Sequence, residues 1–141
     1  MTRAFIWAAV SITAQTEEAD KDSRPLQIAK GEALAAHMGW EMVTRLEMPG
    51  HSRRYLRFDE LANDTRAQGI DAFDRLQDLI VHHSFDVLIC RDADRFARTQ
   101  ALHAYIVESI IDAGRALYSL ADGMITASNY RVFIDCRAIP A

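Results

Sequence analysis

Cysteine is scarce in this chain: only Cys90 and Cys136 occur among 141 residues. Two isolated thiols build neither a disulfide framework nor a zinc site, which points to a reducing compartment, the cytoplasm. Long apolar runs are absent too. The N-terminal stretch Ala4 to Ile12 is about half the roughly 20 residues a spanning helix needs, and Arg3 followed by Trp7 makes a poor secretion signal. Positive charge is not in excess, with 16 Lys and Arg against 20 Asp and Glu and a formal net charge of −4. No global basic field therefore advertises a nucleic-acid partner, and any such partner is met locally or through a segment absent here. No Gly-x-Ser-x-Gly elbow and no glycine-rich phosphate loop occur, and the five histidines are scattered without ligand spacing. Internal repeats and low-complexity tracts are missing as well.

What is present reads as one globular domain over residues 1–141, half of it hydrophobic and about a quarter charged. Residues 4 to 12 form a first strand. The polar stretch Thr13 to Arg24 follows as a loop, and Asp22 or Ser23 caps a helix that Pro25 opens. Leu26, Ala29, Ala33, Leu34 and His37 recur at helical spacing, and Gly39 stops the helix. Trp40 to Leu46 is a second strand. Residues 47 to 69 are the least regular part: Met48-Pro49-Gly50-His51 is a turn, Arg45, Arg53, Arg54 and Arg57 cluster, and Phe58 to Ala67 is a helical turn or part of a long loop.

From Ile70 the periodicity returns, with Ile70, Phe73, Leu76 and Ile80 along one helical face. His82-His83 reads as a helix end rather than a metal site. Val87-Leu88-Ile89-Cys90 is an unbroken apolar run, as in a strand buried on both faces. A helix over about Gln100 to Ala113 turns Leu102, Ile106 and Ile110 inward and ends at Gly114. Ala116 to Leu120 is a fourth strand, Asp122-Gly123 a turn, and Tyr130 to Ile134 a fifth strand that can run antiparallel. Strands alternating with helices define a three-layer α/β domain with a mostly parallel sheet of about five strands.

The chemistry concentrates after the buried strand, in Asp94-Arg95-Phe96-Ala97-Arg98. Charge at the carboxyl end of such a strand lies where an open α/β sheet places its site. In a helical turn Arg95 and Arg98 share a face. Two guanidiniums held by the Asp94 carboxylate suit a phosphate. Strand one ends in Val10-Ser11-Ile12-Thr13-Ala14-Gln15, so a serine faces these arginines across neighbouring strand ends. Serine attacks once its proton is taken and its target polarised, and arginines polarise a phosphodiester by neutralising its pentavalent transition state.

Taken in order, Ser11 with Gln15, Pro25-Leu26-Gln27 opening a helix, Asp86-Val-Leu-Ile-Cys followed by Asp94-Arg95-x-x-Arg98, and Gly114 to Gly123 resemble the catalytic domain of the serine recombinase (resolvase/invertase) family over most of residues 4 to 125. The resemblance implies a resolvase-like fold and a DNA substrate. It implies that Ser11 attacks a DNA phosphodiester to form a phosphoserine link, that Arg95 and Arg98 hold the scissile phosphate, that Asp94 orients them, and that Gln15 and Gln27 support the site. It implies no metal or nucleotide, and action as a dimer that pairs into a tetramer on DNA. The family continues into a dimerisation helix and a DNA-binding domain that residues 1–141 do not contain.

The chain departs from the family in three places. The family's arginine two residues before the serine is here Ala9. Its arginine after the strand-two loop is matched by Arg66. Its Asp and Ser-Gly in that loop are replaced by something like Leu46 and Pro49-Gly50, with Arg53, Arg54 and Arg57 nearby to substitute at the phosphate. An alternative follows from Ala9: a weakened or inactive module of the same fold that acts in assembly or regulation. A third reading, a flavodoxin-like domain binding a small phosphorylated ligand, calls for a glycine-rich first loop, whereas residues 13 to 24 hold no glycine.

Overall fold

The computed structural model describes residues 2–9, 24–48, 58–67, 69–91 and 100–131. Five strands and four helices occur among them: β1 (Arg3–Ala9), α1 (Arg24–Met38), β2 (Glu41–Met48), α2 (Phe58–Ala67), α3 (Ala72–Val81), β3 (Val87–Cys90), α4 (Gln100–Asp112), β4 (Ala116–Ser119) and β5 (Gly123–Ile125). They form one sheet in the order β2-β1-β3-β4-β5. The first four strands pair in parallel and β5 runs antiparallel to β4.

The pleat of β1 explains the three layers. Ala4, Ile6 and Ala8 pack with Ala35 of α1 on one face of the sheet. Phe5 and Trp7 point to the other face, into the larger core that α2, α3 and α4 cover. There Phe5 meets Phe85 edge to face at 4.7 Å, and Trp7 meets Phe73 at 5.0 Å between ring centres. α1 lies very close to the sheet, because Gly31 sits over Ile6. A Cβ at Gly31 would come within 2.8 Å of Ile6 Cδ1.

β2 joins this scheme through an irregularity. Ala4 pairs with Met42 but Phe5 pairs with Thr44, so the register slips by one at Val43. The extra residue resets the alternation. Met42 packs on the α1 side while Leu46 reaches the opposite core.

β3 is buried along its whole length, as its composition requires. The two helices on either side of it keep their expected inward faces: Phe73 and Leu76 on α3, Ile106 and Ile110 on α4, all buried. Gly39 and Gly114, with φ of +72° and +78°, take the left-handed conformation that ends α1 and α4. His82 closes α3, its ring nitrogen Nδ1 donating to the Asp78 carbonyl at 3.0 Å.

Two expectations are revised. Residues 58–67 are a helix, α2, which buries Ala62 and Thr65. The fifth strand is Gly123–Ile125, immediately after the turn and not at Tyr130, since Tyr130 and Arg131 are helical. The cause is a capping box. Thr126 Oγ1 accepts from Ser128 N–H, and Asn129 Oδ1 accepts from Thr126 N–H at 2.7 Å, so Thr126-Ala-Ser-Asn starts a helical turn. Positions 132–134 of the expected strand, and residues 10–12 of the first, lie outside the described residues.

Candidate functional site at the carboxyl edge of the sheet

The strand order reverses between β1 and β3. From β1 the chain crosses over α1 to β2 on one side; from β3 it crosses over α4 to β4 on the other. Such a switch point leaves a crevice outside the carboxyl ends of the two strands, where open α/β sheets bind ligands. Trp7 pairs with Cys90, the last residue of β3, so both strands end at one edge. The segment that begins at Val10 carries Ser11 and Gln15, and the segment after Arg91 carries Asp94, Arg95 and Arg98. The chain thus enters both segments from adjacent strand ends.

Ser11, Gln15, Arg53, Arg54, Asp94, Arg95 and Arg98 themselves lie outside the described residues, as do Arg57 and the loop substitutes Pro49-Gly50. Gln27 and Arg66 are described. Gln27 is buried in the first turns of α1, the helix that runs back from this edge of the sheet. Arg66, near the end of α2, is largely exposed and holds the Asp74 carboxylate with two nitrogens, Nε at 2.8 Å and Nη2 at 2.5 Å, while Nη1 donates to Asn63 Oδ1 at 3.0 Å. Asp74 follows Phe73, which rests on Trp7 of β1. The hydrogen bond from Arg66 holds the Asp74 carboxyl below its ordinary value.

Arg45 stands on β2, where its Nε donates to Glu32 Oε2 of α1 at 2.8 Å. The β4–β5 turn adds a feature whose sequence signal is weak. It is tied to the end of β3: Leu120 N–H donates to the Cys90 carbonyl at 2.8 Å and Ala121 N–H to the Arg91 carbonyl at 3.0 Å. Inside the turn, Ser119 Oγ lies 2.9 Å from Asp122 Oδ2 and accepts from Asp122 N–H at 3.1 Å. A serine three residues before an aspartate was the available signal.

The amino edge is built differently. Asp86 accepts from Arg3 N–H at 2.8 Å and from Arg3 Nε at 3.3 Å, with Arg115 Nη1 at 3.8 Å. These contacts, the Arg3 backbone bond first, lower its carboxyl from the ordinary value. They join the starts of β1, β3 and β4 and are structural. Among the described residues no group of three or more His, Cys, Asp or Glu is placed to hold a metal ion, and no helix is long and apolar enough to cross a membrane.

Sheet order and layering define an α/β domain of the resolvase catalytic type. The chain belongs to the family described as the resolvase N-terminal domain, whose model matches residues 10–139. Its structure is similar to the N-terminal catalytic domain of TP901-1 integrase, with a TM-score of 0.72 and 22% identity over 97% of this chain and 92% of that one. It is also similar to a resolvase family site-specific recombinase from Streptococcus pneumoniae, with a TM-score of 0.67 and 20% identity over 98% and 84%. A third likeness is to the C-terminal catalytic domain of ISC1926 TnpA, an IS607-like serine recombinase, at 0.61 and 19% over 95% and 77%. At these identities the likenesses establish the fold. No curated protein matches the chain in sequence.

Proposed function

We propose that the chain is the catalytic domain of a serine-type site-specific DNA recombinase. The Ser11 hydroxyl attacks the phosphorus of a DNA phosphodiester, and its proton ends on the departing 3′ oxygen. A serine–phosphate bond forms at the 5′ side, and the broken P–O bond leaves a 3′ hydroxyl. The phosphodiester energy stays in the protein–DNA link, so religation is the same step reversed, with the 3′ hydroxyl of an exchanged strand as nucleophile. Arg95 and Arg98 neutralise the charge that builds on the phosphate, and Asp94 orients them. Arg66 supplies a further guanidinium once it exchanges Asp74 for phosphate. Gln15, Gln27, Arg53 and Arg54 bind around the reacting group. A dimer that pairs into a tetramer supplies the strands to be exchanged.

The observation that carries this reading is the adjacency of the β1 and β3 ends, from which the Ser11 and Asp94-Arg95-x-x-Arg98 segments continue, in a chain of the resolvase family. The test is a DNA duplex carrying the recognition site, with religation blocked by a nick that lets the cut end diffuse away. A covalent adduct at a 5′ phosphate is expected, and Ser11→Ala abolishes it. An adduct that survives Ser11→Ala moves the nucleophile elsewhere.

Ala9, at the end of β1, favours a second reading: a weakened or inactive module acting in assembly or regulation. Ala9→Arg separates the two. A faster adduct marks a weakened enzyme, and no adduct from either form marks the module.

A further inference from the structure

The proposed chemistry uses Asp94, Arg95 and Arg98, and so depends on how the chain leaves β3. Cys90 ends that strand, yet the parallel ladder with β4 is prolonged by the Leu120 and Ala121 amides, which hold the Cys90 and Arg91 carbonyls. Those amides belong to the β4–β5 turn, and Ser119 locks that turn. Ser119 is fully buried, a position at which an apolar side chain would cost less. Its hydroxyl has one proton, and the Asp122 carboxylate at 2.9 Å is a better acceptor than the Arg91 carbonyl at 3.4 Å. The Asp122 N–H returns a bond to the same oxygen. The reciprocal pair closes the turn, and Gly123, at φ +96°, lets the chain double back into β5.

Building on the proposed function, we infer that Ser119 and Asp122 are positioning residues for the cleavage reaction. Their mutual hydrogen bonds fix the turn whose amides hold Cys90 and Arg91, and so set the direction in which the arginine-bearing segment departs. Neither touches the DNA. Their effect falls on the rate of the chemical step, because misplacing a reacting group by about 1 Å costs on the order of 10²-fold.

The test is single-turnover adduct formation at saturating DNA by the whole protein, with amide hydrogen exchange of Leu120 and Ala121 followed in parallel. Asp122 is exposed, so Asp122→Ala keeps the fold even where Ser119→Ala does not. Asp122→Ala is expected to slow adduct formation by about 10²-fold, to leave DNA affinity unchanged, and to speed exchange at both amides. Asp122→Asn keeps an oxygen for the Ser119 hydroxyl and restores most of the rate. A wild-type rate in Asp122→Ala, with the adduct still Ser11-dependent, overturns the positioning role alone. Asp122→Asn as slow as Asp122→Ala overturns the hydrogen-bond account in favour of charge. A wild-type protein that forms no Ser11-dependent adduct removes the proposed function, and this inference with it.

Discussion

Trp7 of β1 is the register partner of Cys90 of β3 in the middle of a parallel sheet. Ser11 stands four residues beyond the one and Asp94 four residues beyond the other. Phe73 braces Trp7 from the helical layer, and Leu120 holds the Cys90 carbonyl from the other side. The strand ends that lead into the proposed chemistry are thus fixed by buried contacts.

Gly31→Ala is expected to destabilise the domain by roughly 1–2 kcal/mol. Overpacking costs about 1–3 kcal/mol, and the better helix propensity of alanine returns at most about 1 kcal/mol. The clash is with Ile6 Cδ1 at 2.8 Å and Cγ1 at 2.9 Å. Ile6→Val removes the nearer atom. In urea unfolding the double variant should therefore lose less than the sum of the two single losses.

Asp86 sets a pH dependence at the amino edge. Its carboxyl is depressed in the folded state, so its contribution is complete above the ordinary aspartate value of about 3.9 and is lost as pH falls through the lower folded value. Solvent reaches a third of the side chain, which keeps the effect below about 1 kcal/mol. Wild type and Asp86→Asn should differ most at neutral pH and converge in acid. A gap that widens below pH 4 would contradict the assignment.

Arg66→Ala is expected to leave the melting temperature nearly unchanged, because the Arg66 side chain is 59% exposed and solvent screens its bond to the half-buried Asp74. Adduct formation should nevertheless slow by about 10²–10³-fold, the usual loss for one donor to a charged transition state. Asp74→Asn, which frees Arg66, should not slow it. Equal rates in wild type and Arg66→Ala would remove Arg66 from the site.

Residues 1–141 should hold DNA weakly. The net charge is −4, and the proposed phosphate-binding arginines, Arg53, Arg54, Arg66, Arg95 and Arg98, can neutralise at most five phosphates. The slope of log K against log salt should then be no steeper than about −4.5, at roughly −0.9 per phosphate. Tight, sequence-specific binding by this segment at physiological salt would place the DNA-reading function within it.

Much of the architecture is written locally. The apolar run Val87 to Cys90 states a doubly buried strand, and the spacing of Phe73 and Leu76 states the inner face of α3. Gly39 and Gly114 state helix ends, because few other residues tolerate positive φ. The order Ser11, Gln27, Asp94-Arg95-x-x-Arg98 carries the family. α2 was less legible, since among the described residues only Ala62 and Thr65 mark its buried side. The strand expected at Tyr130 ignored the Thr126–Asn129 capping box. β5 is three residues long and becomes a strand only by pairing with β4, Gly123, Met124 and Ile125 opposite Ser119, Tyr118 and Leu117.

By itself, then, the sequence determined which segments are strands or helices wherever burial repeats with a period, and which residue types are available for phosphate chemistry. Tertiary structure decided what periodicity cannot express: that β1 and β3 are neighbours, that Val43 resets the register of β2, that Arg66 is engaged with Asp74 and Arg45 with Glu32, and that Ser119 is bonded within a turn that grips β3. Each of these joins residues through backbone or side-chain hydrogen bonds whose partners are chosen only once the layers have packed. A polar side chain carries no periodic signal of which partner it will meet.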